Sequence, residues 1–230
     1  MYHPDSSSSS DIDSVIGQLD GNNSVTSDLG NSNNNMDRFS TALNLPVVAA
    51  YNTRSLFPKI EHFKTDMMER NVSVGFVSEV WEKSESKEHS SEIERMLELN
   101  GLKYLSKSRP SNKRGGGVAL VVNLENYSCE KLDVPTSKSL EVIWGLLKPK
   151  SSEAHIKRII VCSFYSPPNN GRNTRLADHI VGTLHMLNTK YPDSGIILGG
   201  DKNDMDIKPI LNCGLKLTQV VYKFTRQGKI

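Results

Sequence analysis

Residues 196–203 read Ile196-Ile-Leu-Gly-Gly-Asp-Lys-Asn203, an apolar run that leads directly into two glycines and an acid. Such a run, bounded by glycine, predicts a short buried strand. Glycine lets the backbone turn tightly and leaves room for a substrate to approach, so we expect this strand to deliver Asp201 to a loop. Taken alone, the same residues are equally compatible with a simple turn.

Three further apolar runs end in a polar residue in the same way. Asn52 follows the run 47–51, Glu79 comes just after 72–77, and Tyr165 follows 159–164. Ligands in layered α/β folds collect where strand ends converge. We therefore predict that these three side chains and Asp201 point into one cleft, although each alone could be an ordinary edge, turn or cap residue.

The order of strand and helix patterns predicts an α/β fold. Apolar residues recur at helical spacing over 59–70, between the runs 47–51 and 72–77, which predicts two parallel strands joined by a helix. Further helices are predicted over 91–100 and 174–187. Strands over 118–122, 140–147 and 159–164 make the middle of the chain rich in sheet, and one short helix and one strand are expected after residue 203.

The first 44 of the 230 residues differ in composition from the rest. They hold ten Ser and seven Asn with hydrophobic residues scattered singly, which predicts a disordered tail over 1–44 and a folded domain over 45–230. Of the 28 bases and 26 acids, the tail takes one base and six acids, which leaves 27 and 20, a formal charge of +7, in the domain. That charge suits a polyanion such as DNA and suits plain solubility equally well.

Cysteine usage and hydropathy argue against several classes of protein. Cys129, Cys162 and Cys213 are odd in number, widely spaced and without a CxxC pair, so neither a zinc site nor a disulfide framework is indicated. The chain has no signal-peptide pattern and no run of roughly 18 apolar residues, which argues against secretion and a membrane span. We expect an intracellular protein, nuclear or cytoplasmic.

The polar residues at the strand ends suit metal and phosphate chemistry. Carboxylates such as Glu79 and Asp201 are ligands that Mg²⁺ prefers, usually one or two of them with water and substrate phosphate. The amides of Asn52 and Asn203 and the hydroxyl of Tyr165 can donate to phosphate oxygens or to a metal-bound water.

A basic, glycine-rich segment is the second candidate for phosphate recognition. It contains Arg109, Lys113 and Arg114, followed by three glycines at 115–117. Basic side chains on a flexible backbone fit a nucleic-acid backbone, and a solvated loop is the alternative.

Five segments, in order along the chain, carry a more specific pattern: Ala50-Tyr-Asn-Thr-Arg-Ser-Leu56, Ser78-Glu-Val-Trp81, Arg114-Gly-Gly-Gly-Val-Ala-Leu120, Ser163-Phe-Tyr-Ser-Pro-Pro168 and Leu198-Gly-Gly-Asp-Lys-Asn203. Together they resemble the endonuclease/exonuclease/phosphatase superfamily, in particular the endonuclease domain of non-LTR (LINE-type) retrotransposon polyproteins, over nearly all of 45–230. The resemblance implies a four-layer α/β sandwich of two mixed β-sheets packed face to face with helices outside. It also implies a reverse transcriptase domain in the full polyprotein.

The resemblance further implies Mg²⁺-dependent nicking of DNA, with Mn²⁺ as the alternative metal. Glu79 is expected to bind the metal, Asn52 to assist at the metal or phosphate, and Tyr165 to contact the scissile phosphate. Asp201 is expected to align or deprotonate the attacking water, and Asn203 to stabilise charge developing on phosphorus.

Two departures from the family pattern stand out. Lys202 replaces an apolar residue, which is expected to shift the loop or add a phosphate contact. The stretch Thr225-Arg-Gln-Gly-Lys-Ile230 resembles the start of a strand that in the family leads to a metal-site Asp and a Ser-Asp-His motif, and none of the six histidines follows Asp201. The resemblance thus implies a domain whose last strands are missing, with uncovered sheet edges and weak or absent turnover.

Two alternatives to an endonuclease stay open. One is a non-catalytic remnant of the same fold that binds nucleic acid or protein. The other is a phosphoesterase acting on small phosphoesters, which the basic glycine-rich segment favours less than a polymer.

Overall fold

The computed structural model describes residues 15–18, 45–81, 87–109, 115–151, 154–168 and 174–220, with backbone alone for 15–18 and 87–89. The strands are β1 Val15–Gln18, β2 Val48–Asn52, β3 Val74–Ser78, β4 Leu102–Lys107, β5 Val118–Asn123, β6 Tyr127–Lys131, β7 Glu141–Pro149, β8 Ile159–Tyr165, β9 Gly195–Asp201 and β10 Thr218–Gln219. The helices are α1 Ile60–Glu69, α2 Lys87–Glu98, α3 Thr174–Lys190 and α4 Lys208–Leu211, with a 3-10 turn at Phe57–Lys59.

The strands form two mixed sheets. One has the order β10-β1-β9-β8-β7-β6, in which β8 and β9 are parallel and the other neighbours are antiparallel. The other has the order β2-β3-β5-β4, in which β2 and β3 are parallel. The predicted unit of two parallel strands joined by a helix is therefore confirmed.

Three apolar clusters define the layers. The cluster between the sheets contains Phe76, Leu120 and Leu147, all fully buried. A second cluster lies between the larger sheet and α3 and α4, and a third lies between the smaller sheet and α1 and α2. The order helix, sheet, sheet, helix is the four-layer α/β sandwich that the resemblance implies.

Strand β1 departs from the prediction for the first 44 residues. Val15–Gln18 pairs antiparallel with β9, with Val15 opposite Gly199, and also with β10. An edge strand has unpaired N–H and C=O groups that another strand can satisfy. The tail thus contributes one strand that composition did not indicate, and this strand pairs with the edge of β9. The rest of the tail and the strand predicted from Thr225 lie outside the described residues.

In the described part of the chain, no helix is both long enough and apolar enough to cross a bilayer.

Candidate active site

Strand register places the predicted strand ends at one edge of the sandwich. Asn52 lies opposite Ser78, the residue before Glu79, in the parallel pair β2 and β3. Tyr165 lies opposite Asp201 in the parallel pair β8 and β9. Because the carboxyl ends of parallel strands lie at the same edge, each pair presents two polar side chains there. Hydrogen bonds from one pair to the other join the sheets at this point.

Asn52 is the centre of this arrangement. Its Nδ2 donates to Glu79 Oε1 at 3.0 Å and to Asp201 Oδ2 at 3.1 Å. Its Oδ1 is buried and has no hydrogen-bond partner among the residues that the structure describes. A buried amide oxygen without a partner is unfavourable by itself, which makes it a natural position for a bound water or cation.

Glu79 is held by its backbone as well as by its side chain. Its φ is +55°, a left-handed conformation that is uncommon outside glycine and is found more often at functional sites. The Glu79 carbonyl accepts hydrogen bonds from Ser55 N–H at 2.8 Å and from Thr53 Oγ1 at 3.1 Å. Trp81 Nε1 donates to Glu79 Oε2 at 3.3 Å, and the Tyr165 hydroxyl donates to Oε1 at 3.3 Å. The carboxylate orientation is therefore fixed from several sides.

Tyr165 remains a hydrogen-bond donor at neutral pH. Burial of its ring raises the pKa of the phenol, and the carboxylates of Glu79 and Asp201 raise it further, while Arg109 opposes them. The protonated hydroxyl can donate to an oxygen, which is the role expected of a group that contacts phosphate.

Asp201 and Asn203 form a compact turn. Asp201 is buried, and its Oδ1 accepts from the Asn203 N–H at 3.0 Å. Asn203 has a φ of +41°, and its Nδ2 donates to the Ser166 carbonyl at 2.8 Å, so one amide hydrogen fastens the loop to the end of β8. Lys202, which is half-buried, donates from Nζ to the Asn203 carbonyl at 3.3 Å.

The glycines before Asp201 have a different role from the one expected. Gly199 and Gly200 lie inside β9 rather than in a turn. A Cβ on Gly199 would meet the Phe76 ring at 2.4 Å, and one on Gly200 would meet the Phe164 carbonyl oxygen at 1.9 Å. Gly199 is required because Phe76 of the facing sheet approaches it closely, and Gly200 because its φ of +151° would direct a Cβ into the backbone of the neighbouring strand β8. Both glycines lie within a strand, so the prediction of a tight turn with space for substrate was wrong.

The predicted basic residues are only partly described. Lys113 and Arg114 lie outside the described residues. Arg109 is described, and its Nε and Nη2 each contact Glu141 Oε1 at 2.7 Å. Its guanidinium also lies over the Tyr165 ring, 5.8 Å from the centroid. Arg109 is thus at the site, with its charge engaged by a carboxylate that the sequence analysis did not single out.

The donor set fits a hard divalent cation such as Mg²⁺. One amide nitrogen contacts both carboxylates, so their oxygens lie within about 6 Å and repel each other by roughly 3 kcal/mol at an effective dielectric constant near 20. A cation beside the unpartnered Asn52 Oδ1 would relieve that repulsion. No group of three or more His, Cys, Asp or Glu side chains suited to a metal occurs among the described residues, and Mg²⁺ needs only one or two carboxylates.

Comparison with known proteins relates this geometry to a fold. Neither the scan of family models nor the search of curated proteins finds a match. Among solved structures, the human nocturnin catalytic domain with bound sulfate is similar at 13% identity, covering 75% of this chain and 70% of that one, with a TM-score of 0.54. The endonuclease domain of TRAS1, a telomere-specific non-LTR retrotransposon, is 11% identical and covers 72% and 68%, with a TM-score of 0.46.

A third solved structure is that of ANGEL2, a 2',3'-cyclic phosphatase, which is 20% identical and covers 64% of this chain and 43% of that one, with a TM-score of 0.46. These structures belong to the endonuclease/exonuclease/phosphatase superfamily. The likeness to nocturnin shows the fold, so this chain has the same α/β sandwich.

Proposed function

We propose that this chain is a metal-dependent phosphodiesterase domain that acts on DNA, of the kind found in non-LTR retrotransposon endonucleases. The observation that carries the proposal is the shared hydrogen bonding of Glu79 and Asp201 to Asn52 Nδ2, beside the unpartnered Asn52 Oδ1. The buried carboxylate of Asp201 and the half-buried carboxylate of Glu79 are close enough together to form a binding site for a cation.

Each residue then has a definite task. Glu79 and the Asn52 amide oxygen hold the cation, which when bound supplies charge neutralisation at a phosphate. The Tyr165 hydroxyl, which donates to Glu79 Oε1 in this structure, turns to a nonbridging phosphate oxygen when substrate binds and so orients the phosphodiester. Asp201 aligns the attacking water or takes its proton, and the Asn203 Nδ2 hydrogen that does not bond the Ser166 carbonyl is available to the charge that develops on phosphorus.

DNA is favoured as the substrate by features of the sequence. The five ordered segments resemble retrotransposon endonucleases, and the domain carries a formal charge of +7 after subtraction of the tail from the chain total. Basic residues at Lys113 and Arg114, beside the glycines, suit a polymeric phosphate backbone. A reverse transcriptase domain in the same polyprotein is part of this proposal.

Binding without turnover is the second candidate. The residues described at the site include no histidine, and a histidine acid or base would contribute about 10² to 10⁴-fold to the rate. A fold that retains the cation site and DNA contacts would then bind without cleaving.

Metal binding can be followed by the fluorescence of Trp81. The chain has two tryptophans, and Trp144 is buried in the core, so Trp144→Phe leaves Trp81 as the single reporter next to Glu79. Titration of this full-length variant with Mg²⁺ is expected to change Trp81 emission with saturation. Glu79→Gln should abolish the response, whereas Glu130→Gln, which removes an exposed ion pair with Lys148, should leave it intact. A response that persists in Glu79→Gln would refute the site.

Catalysis is tested separately with supercoiled plasmid. The full chain is incubated with Mg²⁺ or with chelator, beside Asp201→Asn and a soluble phosphodiester, bis(p-nitrophenyl) phosphate. Nicking that requires Mg²⁺ and Asp201 supports the endonuclease. Mg²⁺-dependent DNA binding without nicking supports the binding module, and hydrolysis of the small ester alone supports a phosphoesterase.

A further inference from the structure

Glu141 is a buried carboxylate at the edge of the site. It is the first residue of β7 and lies directly opposite Tyr165 in the antiparallel pair β7 and β8. Directly opposite residues project from the same face of a sheet, so register alone puts Glu141 beside Tyr165. Only 5% of its side chain is exposed. A carboxylate this buried needs strong partners, and it has two.

The first partner is Arg109. Its Nε and Nη2 contact Glu141 Oε1, which is a charge-assisted arrangement that fixes the plane of the guanidinium. Gly116 permits this, because a Cβ there would lie 2.3 Å from Arg109 Nε. The guanidinium lies over the Tyr165 ring, and the Tyr165 hydroxyl donates to Glu79 Oε1. One oxygen of Glu141 is thus connected through Arg109 and Tyr165 to one oxygen of Glu79.

The second partner is the backbone of the glycine segment. Gly117 N–H donates to Glu141 Oε2. The carbonyl of Gly116 accepts from Trp81 N–H at 2.9 Å, and the carbonyl of Gly117 accepts from Val80 N–H at 3.4 Å. Trp81 in turn donates from Nε1 to Glu79 Oε2. The other oxygen of Glu141 is therefore connected to the other oxygen of Glu79.

We infer that Glu141 is a positioning residue for Glu79, acting through Arg109 and Tyr165 on one side and through Gly116, Gly117 and Trp81 on the other. Glu79 has a left-handed backbone, and Tyr165 and Trp81 each make one hydrogen bond to its carboxylate, so its orientation depends on how firmly these two donors are held. Groups that orient a metal ligand typically alter metal affinity about 10 to 100-fold when removed.

Substitution can separate the two connections. Glu141→Gln cannot serve both, because its Nε2 is a donor and must face either Arg109 or the Gly117 N–H. Arg109→Gln removes the stacked cation and leaves the Gly117 contact in place. Arg109→Lys retains charge without the planar group, so it should restore part of what Arg109→Gln loses. The control is Glu130→Gln, which removes an exposed ion pair between β6 and β7.

The experiment uses the full chain in the Trp144→Phe background and has two readouts. Acrylamide quenching of Trp81 in chelator reports the geometry without metal. Mg²⁺ titration of Trp81 emission reports affinity and rests on the proposed function. We expect Glu141→Gln and Arg109→Gln each to raise the quenching constant and to weaken Mg²⁺ binding about 10-fold. In the double variant, Mg²⁺ affinity should fall no more than about 2-fold below that of the weaker-binding single variant. Circular dichroism confirms that each variant is folded under the assay conditions.

The outcomes are distinct. Unchanged quenching in both single variants overturns the inference whatever Mg²⁺ does. Altered quenching with an Mg²⁺ affinity within about 2-fold of the parent also overturns it, because the effect would then be local packing alone. Altered quenching in both variants, with no Mg²⁺ response in the parent, supports the positioning role and refutes the proposed function.

Discussion

Gly199→Ala should destabilise the protein through one steric contact. A methyl group at this position would lie 2.4 Å from Cγ and Cδ2 of Phe76 and 2.9 Å from Cε2. Carbon atoms in favourable contact are about 3.5–4.0 Å apart, so the ring or the strand must move by more than about 1 Å. Phe76 is fully buried between the sheets and has little room to yield.

The expected loss is about 2–3 kcal/mol, the upper part of the range for overpacked cores. For a protein of this size each kcal/mol corresponds to roughly 2–4 °C in Tm, so the transition should fall by about 4–12 °C. Urea unfolding followed by circular dichroism measures the loss. The control is Gly182→Ala, which lies within α3 where a Cβ meets nothing within 4 Å, and which should stabilise by about 0.5–1 kcal/mol.

A loss below about 0.5 kcal/mol for Gly199→Ala would refute the close approach of β9 to β3. The double variant Gly199→Ala with Phe76→Ala sharpens the test. Removing the ring relieves the clash and the new methyl fills part of the cavity, so the double variant should be more stable than the sum of the single effects predicts. Simple additivity would show that the two residues do not touch.

Three further predictions concern other parts of the molecule. Burial raises the pKa of the Tyr127 phenol to about 12 from its usual 10. The stability that the protonated phenol contributes is therefore complete below pH 10 and is lost as the pH rises through 12. Over that interval the free energy of unfolding should fall less steeply in Tyr127→Phe than in the parent. Burial raises the pKa of the Cys162 thiol well above its usual value, whereas Cys213 is only half-buried. At pH 8, N-ethylmaleimide should therefore modify Cys213 first and Cys162 only after unfolding, which mass spectrometry measures. Proline at position 16 removes a backbone donor of β1, so Ile16→Pro should speed hydrogen exchange in a peptide spanning β9. Ile16→Val should not. Equal exchange in the two variants would argue against the pairing of β1 with β9.

The elements found from sequence are those with a strong local signal. Continuous apolar runs marked β2, β3, β5, β7, β8 and β9, and helical spacing marked α1, α2 and α3. The strands missed are β4, β6 and β1. Buried and more exposed residues alternate in β6 and at the start of β4, which gives a weaker signal in five or six residues. The partner of β1 lies near residue 199, so nothing in the neighbouring sequence could indicate it.

The residues of the site likewise divide into those with a strong local signal in the sequence and those without one. Asn52, Glu79, Tyr165 and Asp201 follow buried strands, and parallel pairing brings such ends together. Glu141 begins a strand instead, and a strand start reaches the same edge only when the strand is antiparallel to its neighbour. The apolar pattern predicts a strand over 140–147 but not its direction, so nothing local distinguishes Glu141 from an ordinary acid near a strand start. The Trp81 contact depends on the left-handed backbone of Glu79 and Trp81, which sequence patterns do not reveal.

The pairing of β1 has a consequence for synthesis on the ribosome. About 180 residues separate Val15 from its partner Gly199, and at roughly 5–20 residues per second the early segment must wait about 10 to 40 s for that partner to emerge. During this interval the edge of β9 does not exist, and once it emerges any other extended segment nearby can compete for it. Crowded translation of the same message would therefore favour exchange of this strand between nascent chains.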